Sequence, residues 1–440
     1  MLSKEENELI TQTGPGTPMG EALRRYWVPA ALSSELPAPD CDPIRVRLLG
    51  EDLVAFRDSR GRVGLLPENC PHRGAALYLG RNEEGGLRCL YHGWKYDVEG
   101  NVLDTPCEPP ESVIRHRVKA GAYPAHEQGD ILWAYMGPPE KKPPFPDFHW
   151  TLVPAPNRSI KKVLEECNWV QSLEGSMDRS HAPILHDGRD VMRYADDQAH
   201  LRERPRKVEV VDTSYGLIHV AAQPAAKDPE HAKSVSVRPF VLPFTSYVAG
   251  PPSGNWWEDG ADLGTHPWGV HIFIPADDDN NYYYEVRYHP TEEVDQIEES
   301  RFLVVGVDVD EFGRKIKRRL ENRYLQDRGG MRAKRTYSGI DGRPHEDMSM
   351  IESMGRIYDR TQEHLGLADV VTIRLRQRLL DTARAFQEGR DPPGLDPSIP
   401  YDRIATFNRV IPVEKPWQEA GADIGDDAAL PLPAGIAGKG

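Results

Sequence analysis

The sequence predicts an α+β protein built from two domains. Its 440 residues exceed the length at which one hydrophobic core usually keeps growing. Short β-rich runs separated by tight turns dominate the first region, whereas the second combines longer strand-like tracts with helical stretches. Residues 137–146 separate the two regions, because five prolines in ten residues interrupt helices and strands alike. We therefore expect a small all-β domain followed by a larger domain in which helices surround a sheet.

The residue pattern divides the chain into four segments. We expect a helical lead-in at residues 1–40, the all-β domain at 41–148 and the larger domain at 149–420. The tail at residues 421–440 is rich in Ala, Gly and Pro, so it either packs on the surface or is disordered.

Strands and helices are predicted from the local periodicity. The strands of the all-β domain are expected at residues 45–49, 53–56, 63–66 and 130–135. In the larger domain, tracts at 272–275 and 282–288 flank a turn rich in Asp and Asn and predict a hairpin. Helical patterns at about 165–182, 297–325 and 346–387 bracket this hairpin.

Composition narrows the classes of protein and partner. A charged fraction of 28% and a hydrophobic fraction of 39% are typical of a globular chain. The formal net charge of -15 argues against nucleic acid and anionic membranes as partners. The chain lacks a basic start followed by an apolar core and lacks any run of eighteen apolar residues, so we expect a soluble, cytoplasmic protein. Five scattered cysteines are too few for a disulfide framework.

Two Cys-His pairs form the most informative pattern of the chain. Cys70 and His72 form the first pair, and Cys89 and His92 follow after sixteen residues. Two thiolates and two imidazoles suit a Rieske [2Fe-2S] cluster, in which one iron binds both sulfurs and the other binds both histidines. Neutral imidazoles raise the reduction potential relative to a cluster held by four thiolates, so electrons would flow into it from an all-Cys ferredoxin.

The same ligand types could also bind zinc. Zinc fingers, however, pair Cys with Cys and His with His, whereas each pair here contains one of each. Spacing and pairing therefore favour the cluster. Gly74 and Gly93 follow the two pairs and predict turns, in which backbone N–H groups can approach sulfur closely.

A second candidate metal site lies in the larger domain. His181 and His186 are five residues apart, so on an unbroken helix their side chains would point about 140° apart. Pro183 breaks the helical ladder between them and lets the backbone bring His186 back. Asp178, three residues before His181, lies on nearly the same face and can accept a hydrogen bond from an imidazole.

Two imidazoles and one carboxylate with open coordination positions form the facial triad of non-haem Fe(II) oxygenases. Spacing alone does not choose the carboxylate; the candidates are Asp310, Asp341, Glu346, Asp347 and Asp369. The alternative is a pair of ordinary helix histidines, one capping and one packed. The Rieske motif upstream favours iron, because a one-electron carrier is joined to a domain that carries this histidine pattern.

The chain resembles the large subunit of the Rieske non-haem iron aromatic-ring oxygenases, in particular the phthalate dioxygenase family, over nearly its whole length. The segments that carry the resemblance are residues 16–20, 23–27, 82–89, 91–94, 339–340, 346–348, 352–355 and 359–360. The two cluster motifs are the most specific of these. The resemblance implies an N-terminal Rieske β-domain and a C-terminal catalytic domain with a large antiparallel sheet wrapped by helices.

The resemblance also implies the roles of individual residues. The cluster ligands would be Cys70, His72, Cys89 and His92, and the mononuclear iron ligands would be His181, His186 and Asp347. Asp178 would be a bridging carboxylate, linking a cluster histidine of one subunit to an iron-bound histidine of the next. Asn168 would lie near the iron.

The partners follow from the same resemblance. Electrons would cross between the subunits of a homotrimer, and a reductase with flavin and ferredoxin centres would supply them from NAD(P)H. No nicotinamide or flavin motif is visible in the sequence, so this chain would be only the terminal oxygenase.

We expect the terminal oxygenase to use O2 to hydroxylate or O-demethylate an aromatic carboxylate in bacterial aromatic catabolism. Ring cis-dihydroxylation of the phthalate type is the alternative within the class, and a non-catalytic Rieske electron carrier is the alternative outside it. Phthalate enzymes tend to carry Arg in the strand that opens with Tyr-Gly, whereas this chain has His219 there. His219 and Arg238 are either anion contacts or strand-surface residues, and Trp256 and Trp257 either roof the substrate ring or pack a loop.

A basic run at residues 314–335 stands out on an otherwise acidic chain. It predicts either a docking patch for an acidic ferredoxin or a solvated helix face.

Overall fold

The computed structural model describes residues 1–186, 207–225, 228–248, 268–294, 309–310 and 313–419. The chain divides into two compact units. The small unit contains Gln12–Phe145 and Ile274–Asp278, and the large unit contains Met1–Thr11 with the described parts of Pro146–Phe273 and Asp279–Gly440. The predicted tail at residues 421–440 lies outside the described residues.

Three antiparallel sheets build the small unit. Its strands are β1 Trp27–Leu32, β2 Ile44–Leu48, β3 Glu51–Arg57, β4 Val63–Pro67, β5 Arg81–Glu83, β6 Gly86–Arg88, β7 Lys95–Tyr96, β8 Val102–Asp104, β9 Ala125–Gln128 and β10 Ile131–Tyr135. They pair in the orders β1-β10-β9, β2-β3-β4 and β5-β6-β7-β8. Apolar side chains such as Val54, Phe56 and Leu66 form a core that also contains Cys70 and Cys89. The predicted all-β architecture is therefore confirmed.

The lead-in predicted at residues 1–40 is not a separate segment. Helix α1, Lys4–Thr11, belongs to the large unit, whereas helix α2, Pro18–Leu23, and strand β1 belong to the small unit. β1 pairs with β10 along the apolar sequence that starts at Trp27. Pro29 lies at a bulge of this strand, where a missing N–H is tolerated.

An eight-stranded antiparallel sheet forms the core of the large unit. Its strands are β11 Arg158–Glu165, β12 Lys207–Thr213, β13 Gly216–Pro224, β14 Ala232–Val241, β15 Thr245–Val248, β16 Trp268–Pro275, β17 Asn281–Tyr288 and β18 Phe407–Pro412. Their order is β11-β17-β16-β15-β14-β13-β12, and β18 also pairs with β14. β16 and β17 are neighbours, as the predicted hairpin requires.

Helices pack around this sheet, but their bounds differ from the prediction. Besides α1, the described residues of the large unit form the α-helices α3 His149–Leu152, α4 Trp169–Met177, α5 Ala182–Leu185, α6 Arg328–Arg332, α7 Arg343–Ser353 and α8 Val370–Gln387. The helix expected at 346–387 is two helices, because Gly355 adopts φ +94° just after α7. The helix expected at 165–182 is shorter, since β11 extends to Glu165 and α4 begins only after Asn168.

Part of the stretch expected to be helical at 297–325 lies outside the described residues, and Leu320–Leu325 is a 3-10 helix. Among the described residues, no helix combines the length and apolar character that crossing a membrane requires.

A buried ionic cluster anchors α4, the helix that precedes the two histidines of the second site. Glu174 accepts hydrogen bonds from Arg360 Nε at 3.0 Å and Arg376 Nε at 2.6 Å. Burial raises the pKa of Glu174, but the two guanidinium groups outweigh burial and lower it. Arg360 is fully buried, so this pair is shielded from solvent.

We expect Glu174→Ala to lower the free energy of unfolding by about 3–5 kcal/mol, because it removes the carboxylate between two buried guanidinium groups. Urea unfolding followed by tryptophan fluorescence measures the change. Glu388→Ala is the matched control, since it breaks an exposed pair with Arg390 and should cost at most about 1 kcal/mol. Equal losses in the two variants would contradict the structural role of Glu174.

Candidate metal centres

Two turns of the small unit hold the Cys-His pairs. Gly74 N–H donates to the Cys70 carbonyl at 2.8 Å, and Gly93 N–H donates to the Cys89 carbonyl at 3.0 Å. Both glycines adopt positive φ, +77° and +75°, which other residues rarely do. The predicted turns are therefore present, and the same backbone bond closes each of them.

The sulfurs of these turns are buried and the imidazoles lie nearer the surface. Cys70 and Cys89 belong to the core of the small unit, whereas His72 and His92 are partly exposed. The two imidazole rings lie 4.6 Å apart, centre to centre. Burial raises the pKa of the Cys89 thiol, and the neighbouring Cys70 raises it further. Two adjacent buried sulfurs and two adjacent outer imidazoles fit a [2Fe-2S] cluster with one all-sulfur and one all-imidazole end.

His181, His186 and Asp347 converge in the large unit. The Nε2 atoms of both imidazoles lie 3.3 Å from Oδ1 of Asp347. One ligand atom from each of the three residues lies within 4.8 Å of the other two, so one metal ion can contact all three. The histidines flank α5, which contains Pro183 in its first turn, and Asp347 lies in the first half of α7.

A carboxylate behind each imidazole fixes its orientation. His181 Nδ1 lies 3.2 Å from Asp178 Oδ2, and His186 Nδ1 lies 2.8 Å from Glu346 Oε2. Glu346 in turn accepts a hydrogen bond from the Ser338 hydroxyl. Because each Nδ1–H points to a carboxylate, each Nε2 remains available to a metal.

These contacts determine the protonation of the site. Burial lowers the pKa of His181, but hydrogen bonds to Asp178 and Asp347 outweigh it and raise the pKa to about 9. The same balance raises the pKa of His186. Burial raises the pKa of Asp347, yet the two imidazoles hold it well below its usual range. Metal binding must displace protons from the imidazoles, so affinity for the metal falls as the pH falls.

The geometry supports Asp347 among the five acidic candidates for the third ligand. Asp310 and Asp369 accept backbone hydrogen bonds in local turns, and Asp341 is exposed. Glu346 orients an imidazole from behind instead of facing both Nε2 atoms. Only Asp347 joins the two histidines in the cluster of ligand atoms found among the described residues.

Asn168, which the resemblance places near the iron, caps a helix in the structure. Its side-chain oxygen accepts from the Val170 N–H at 3.1 Å, and its side-chain nitrogen donates to the Thr11 carbonyl at 2.9 Å. It is fully buried and caps the N-terminus of α4. Asn168 is not among the described residues that line the cavity of the iron ligands, and its position near the iron stays a prediction.

Two further groups have roles that the sequence did not reveal. Glu346 was one of the candidate ligands, but it orients His186. Its position next to Asp347 in the sequence was the one sign of this role. The hydroxyl of Tyr96 lies 3.0 Å from Cys70 Sγ. Such a bond can tune the potential of a cluster, but nothing in the spacing of the motif pointed to this tyrosine.

A cavity of about 770 Å³ opens onto the three converging residues of the large unit. Its wall is one face of the sheet, because alternate residues of each strand point the same way. The polar and aromatic side chains on this face include His219, Arg238, His271, Tyr283, Glu285 and Arg287. His219 and Arg238 therefore line the cavity and are not strand-surface residues. Trp256 and Trp257 lie outside the described residues.

The fold and the two donor sets define the class of protein. The family model for the Rieske [2Fe-2S] domain matches residues 26–122, and the model described as LigXa C-terminal domain like matches residues 134–431. The chain belongs to the Rieske non-haem iron oxygenases, as their alpha subunit, which confirms the resemblance. Membership implies a Rieske cluster and a mononuclear iron, which the two donor sets fit. The electron-carrier alternative is therefore wrong.

Several oxygenase subunits are similar to this chain. The oxygenase subunit of phthalate 4,5-dioxygenase from Pseudomonas putida is 36% identical over 95% of this chain and 94% of its own length. The oxygenase subunit of 3-chlorobenzoate-3,4-dioxygenase from Comamonas testosteroni is 32% identical over 96% of this chain and 98% of its own length. The oxygenase subunit of 5,5'-dehydrodivanillate O-demethylase from a Sphingobium species is 43% identical, but the match covers only 42% of this chain and 44% of its own length.

Solved structures share the fold. Dicamba monooxygenase bound to dicamba covers 84% of this chain and 99% of its own, with a TM-score of 0.59 at 19% identity. A mutant of NdmA from Pseudomonas putida CBB5 with caffeine covers 84% of this chain and 94% of its own, with a TM-score of 0.59 at 19% identity. At this identity the likeness shows the architecture alone, and it confirms the predicted fold class.

We expect Asp347→Ala to abolish binding of mononuclear iron and to leave the cluster intact, because it removes one of three converging ligands. Iron content, together with the visible absorption of the cluster, measures both effects. Asp341→Ala is the matched control, since this exposed carboxylate lies outside the ligand group. Retention of mononuclear iron in Asp347→Ala would overturn the choice of ligand.

Proposed function

We propose that the chain is the terminal oxygenase of a multicomponent system that hydroxylates or O-demethylates an aromatic carboxylate. The observation that carries this proposal is the opening of the His181, His186 and Asp347 group into a cavity that also holds aromatic rings and buried guanidinium groups. Relatives named for phthalate, chlorobenzoate and dehydrodivanillate act on aromatic acids by their names, which supports the same substrate class here.

The cavity suits a flat ring with an anionic substituent. Phe273 and Tyr283 stack 4.9 Å apart on its wall and can pack against an aromatic substrate. Burial and the neighbouring Arg287 lower the pKa of Arg238 to about 10, so Arg238 still carries its charge at neutral pH. Arg238 lies on the cavity wall, so its guanidinium can bind a substrate carboxylate.

The residues of the site divide the work of the reaction. Iron held by His181, His186 and Asp347 would supply the redox chemistry that activates O2. Asp178 and Glu346 hold the two imidazoles in the orientation that keeps their Nε2 atoms free for metal. The sheet wall would hold the substrate beside the open coordination positions and exclude bulk water.

Ring cis-dihydroxylation is the second candidate reaction. The 36% identity to a phthalate dioxygenase subunit over nearly the whole chain favours it. The O-demethylase relative matches less of the chain at higher identity and favours the other outcome. The same three ligands serve either reaction, so the substrate held in the cavity decides between them.

Electron supply requires partners. The relatives are oxygenase subunits by name, which supports a separate reductase that draws electrons from NAD(P)H through flavin and ferredoxin centres. We place Asp178 on the electron path between the subunits of a homotrimer. Its Oδ2 contacts His181 behind the iron position, and it is partly exposed, so it can also meet a neighbouring subunit.

The basic run at residues 314–335 is a weak candidate for the reductase surface. Lys315 is buried against Glu352, and Arg314 pairs with Asp310 at 2.7 Å. Arg318 and Arg335 also lie near carboxylates, at 3.5 and 3.7 Å. These residues do not lie on one helix face either, because only the short helices Leu320–Leu325 and Arg328–Arg332 occur in this stretch.

Turnover with a matching reductase, NADH and a panel of phthalates, benzoates and methoxybenzoates tests the proposed function. We expect at least one carboxylated aromatic to stimulate O2 consumption coupled to product, because the buried guanidinium favours an anion. Formaldehyde from a methoxybenzoate identifies O-demethylation, and a dihydrodiol identifies ring dioxygenation. The corresponding carboxamides are the matched controls and should react poorly. Equal turnover of acids and amides would contradict recognition of the carboxylate.

We expect Asp178→Asn to keep both metals but to slow electron transfer from cluster to iron by about 100-fold or more, because the amide cannot replace the carboxylate that orients His181 and joins the subunits. Stopped-flow oxidation of the reduced cluster in the presence of O2 and substrate measures the rate. Iron content and the cluster spectrum serve as controls. Cluster oxidation at the normal rate would rule out the bridging role.

A further inference from the structure

His219 is a buried polar side chain on the wall of the cavity. It is 2% exposed, and neither of its ring nitrogens has a hydrogen-bond partner among the described residues. Buried polar groups are hydrogen-bonded in nearly all proteins, and these two nitrogens are available to a molecule bound in the cavity. The ring faces the cavity that also contains the iron ligands.

The neighbours of His219 determine its charge. It lies directly opposite Arg238 in the register of β13 and β14, on the same face of the sheet. Burial lowers the pKa of His219 to about 2, with Arg179 and Arg238 adding to the effect. The imidazole is therefore neutral at physiological pH and offers one N–H donor and one nitrogen acceptor.

A neutral imidazole and a guanidinium side by side can bind two different substituents of one substrate. The carboxylate of the substrate belongs at Arg238, because a charged donor binds an anion best. A second carboxylate at His219 would meet only one neutral N–H and an acceptor that repels it. A hydroxyl both donates and accepts, so it can pair with His219 whichever ring nitrogen carries the proton.

We propose that His219 is a specificity-determining residue that selects aromatic acids with a ring hydroxyl over benzoates without one and over phthalates. This inference rests on the proposed function, since it names the substrate class of the same cavity. It adds recognition of a ring hydroxyl, which the proposed function does not require, because an oxygenase of aromatic acids could hold its substrate by the carboxylate alone.

Isothermal titration calorimetry on the oxygenase with both metal centres loaded tests the inference. The probes are 2-, 3- and 4-hydroxybenzoate, with benzoate and phthalate for comparison. We expect at least one hydroxybenzoate to bind about tenfold tighter than benzoate, which is the effect of one hydrogen bond between neutral groups. In His219→Leu this preference should disappear while the affinity for benzoate stays the same.

A second variant separates recognition from packing. His219→Asn keeps a hydrogen-bond donor and an acceptor in a shorter side chain, so it should retain part of the preference for the hydroxyl. His231→Leu is the control, because His231 is exposed and lies outside the cavity. Unchanged mononuclear iron content shows that the large unit of each variant is folded, and an unchanged cluster spectrum shows the same for the small unit.

The outcomes separate this inference from the proposed function. Tighter binding of a hydroxybenzoate that is lost in His219→Leu and partly kept in His219→Asn supports it. A preference that survives in His219→Leu, or benzoate and phthalate binding as tightly as the hydroxybenzoates, overturns it and leaves the proposed function standing. Binding of none of these acids overturns this inference, and turnover of the wider panel of aromatic acids then decides the proposed function.

Discussion

Two imidazoles and one carboxylate must stay within reach of a single ion, and the large unit is organised around that constraint. The carboxylate that orients His186 comes from Glu346, 160 residues further along the chain. Helix α7 therefore supplies both a metal ligand, Asp347, and the group behind one of the imidazoles. Small rotations of this helix would move both groups together, so its position decides whether the site exists.

Buried ionic contacts hold the elements that carry the ligands. At the C-terminal end of α7, Glu352 accepts hydrogen bonds from Lys315 and Tyr324, and all three side chains are buried. At α4, Glu174 binds two guanidinium groups just before Asp178. Networks of this kind lose much of their stability when one member is removed, but when complete they allow few alternative arrangements. They keep the ligands in position before a metal arrives.

Two different groups of polar side chains line the cavity. Carboxylates and imidazoles converge at one place to bind metal, whereas His219 and Arg238 stand side by side on strands β13 and β14. A substrate held by its polar substituents at the strands would be placed relative to the metal by the rigid spacing of the sheet. Under the proposed function, this arrangement would separate the residues that hold the metal from the residues that bind the substrate.

The sequence by itself determined the class of the protein, because ligand types and their spacing are local properties. Cys70, His72, Cys89 and His92 lie in two short turns, and His181 and His186 are separated by one proline-containing helix of four residues. The division into a small all-β part and a larger part with a sheet also followed from local periodicity. The strand that begins at Trp27 was not predicted, because Pro29 disfavours a strand and the pairing partner β10 lies far along the chain.

Only the tertiary structure decided which residues meet across long distances in the chain. Asp347 is favoured among five acids because α7 brings it to the imidazoles, and Asn168 donates to the Thr11 carbonyl although the two residues are far apart in the chain. No local pattern indicated that His219 is buried or that Arg238 is its cross-strand neighbour. Burial and neighbouring charge fix the protonation of such a group, and both depend on packing between segments that the sequence does not place side by side.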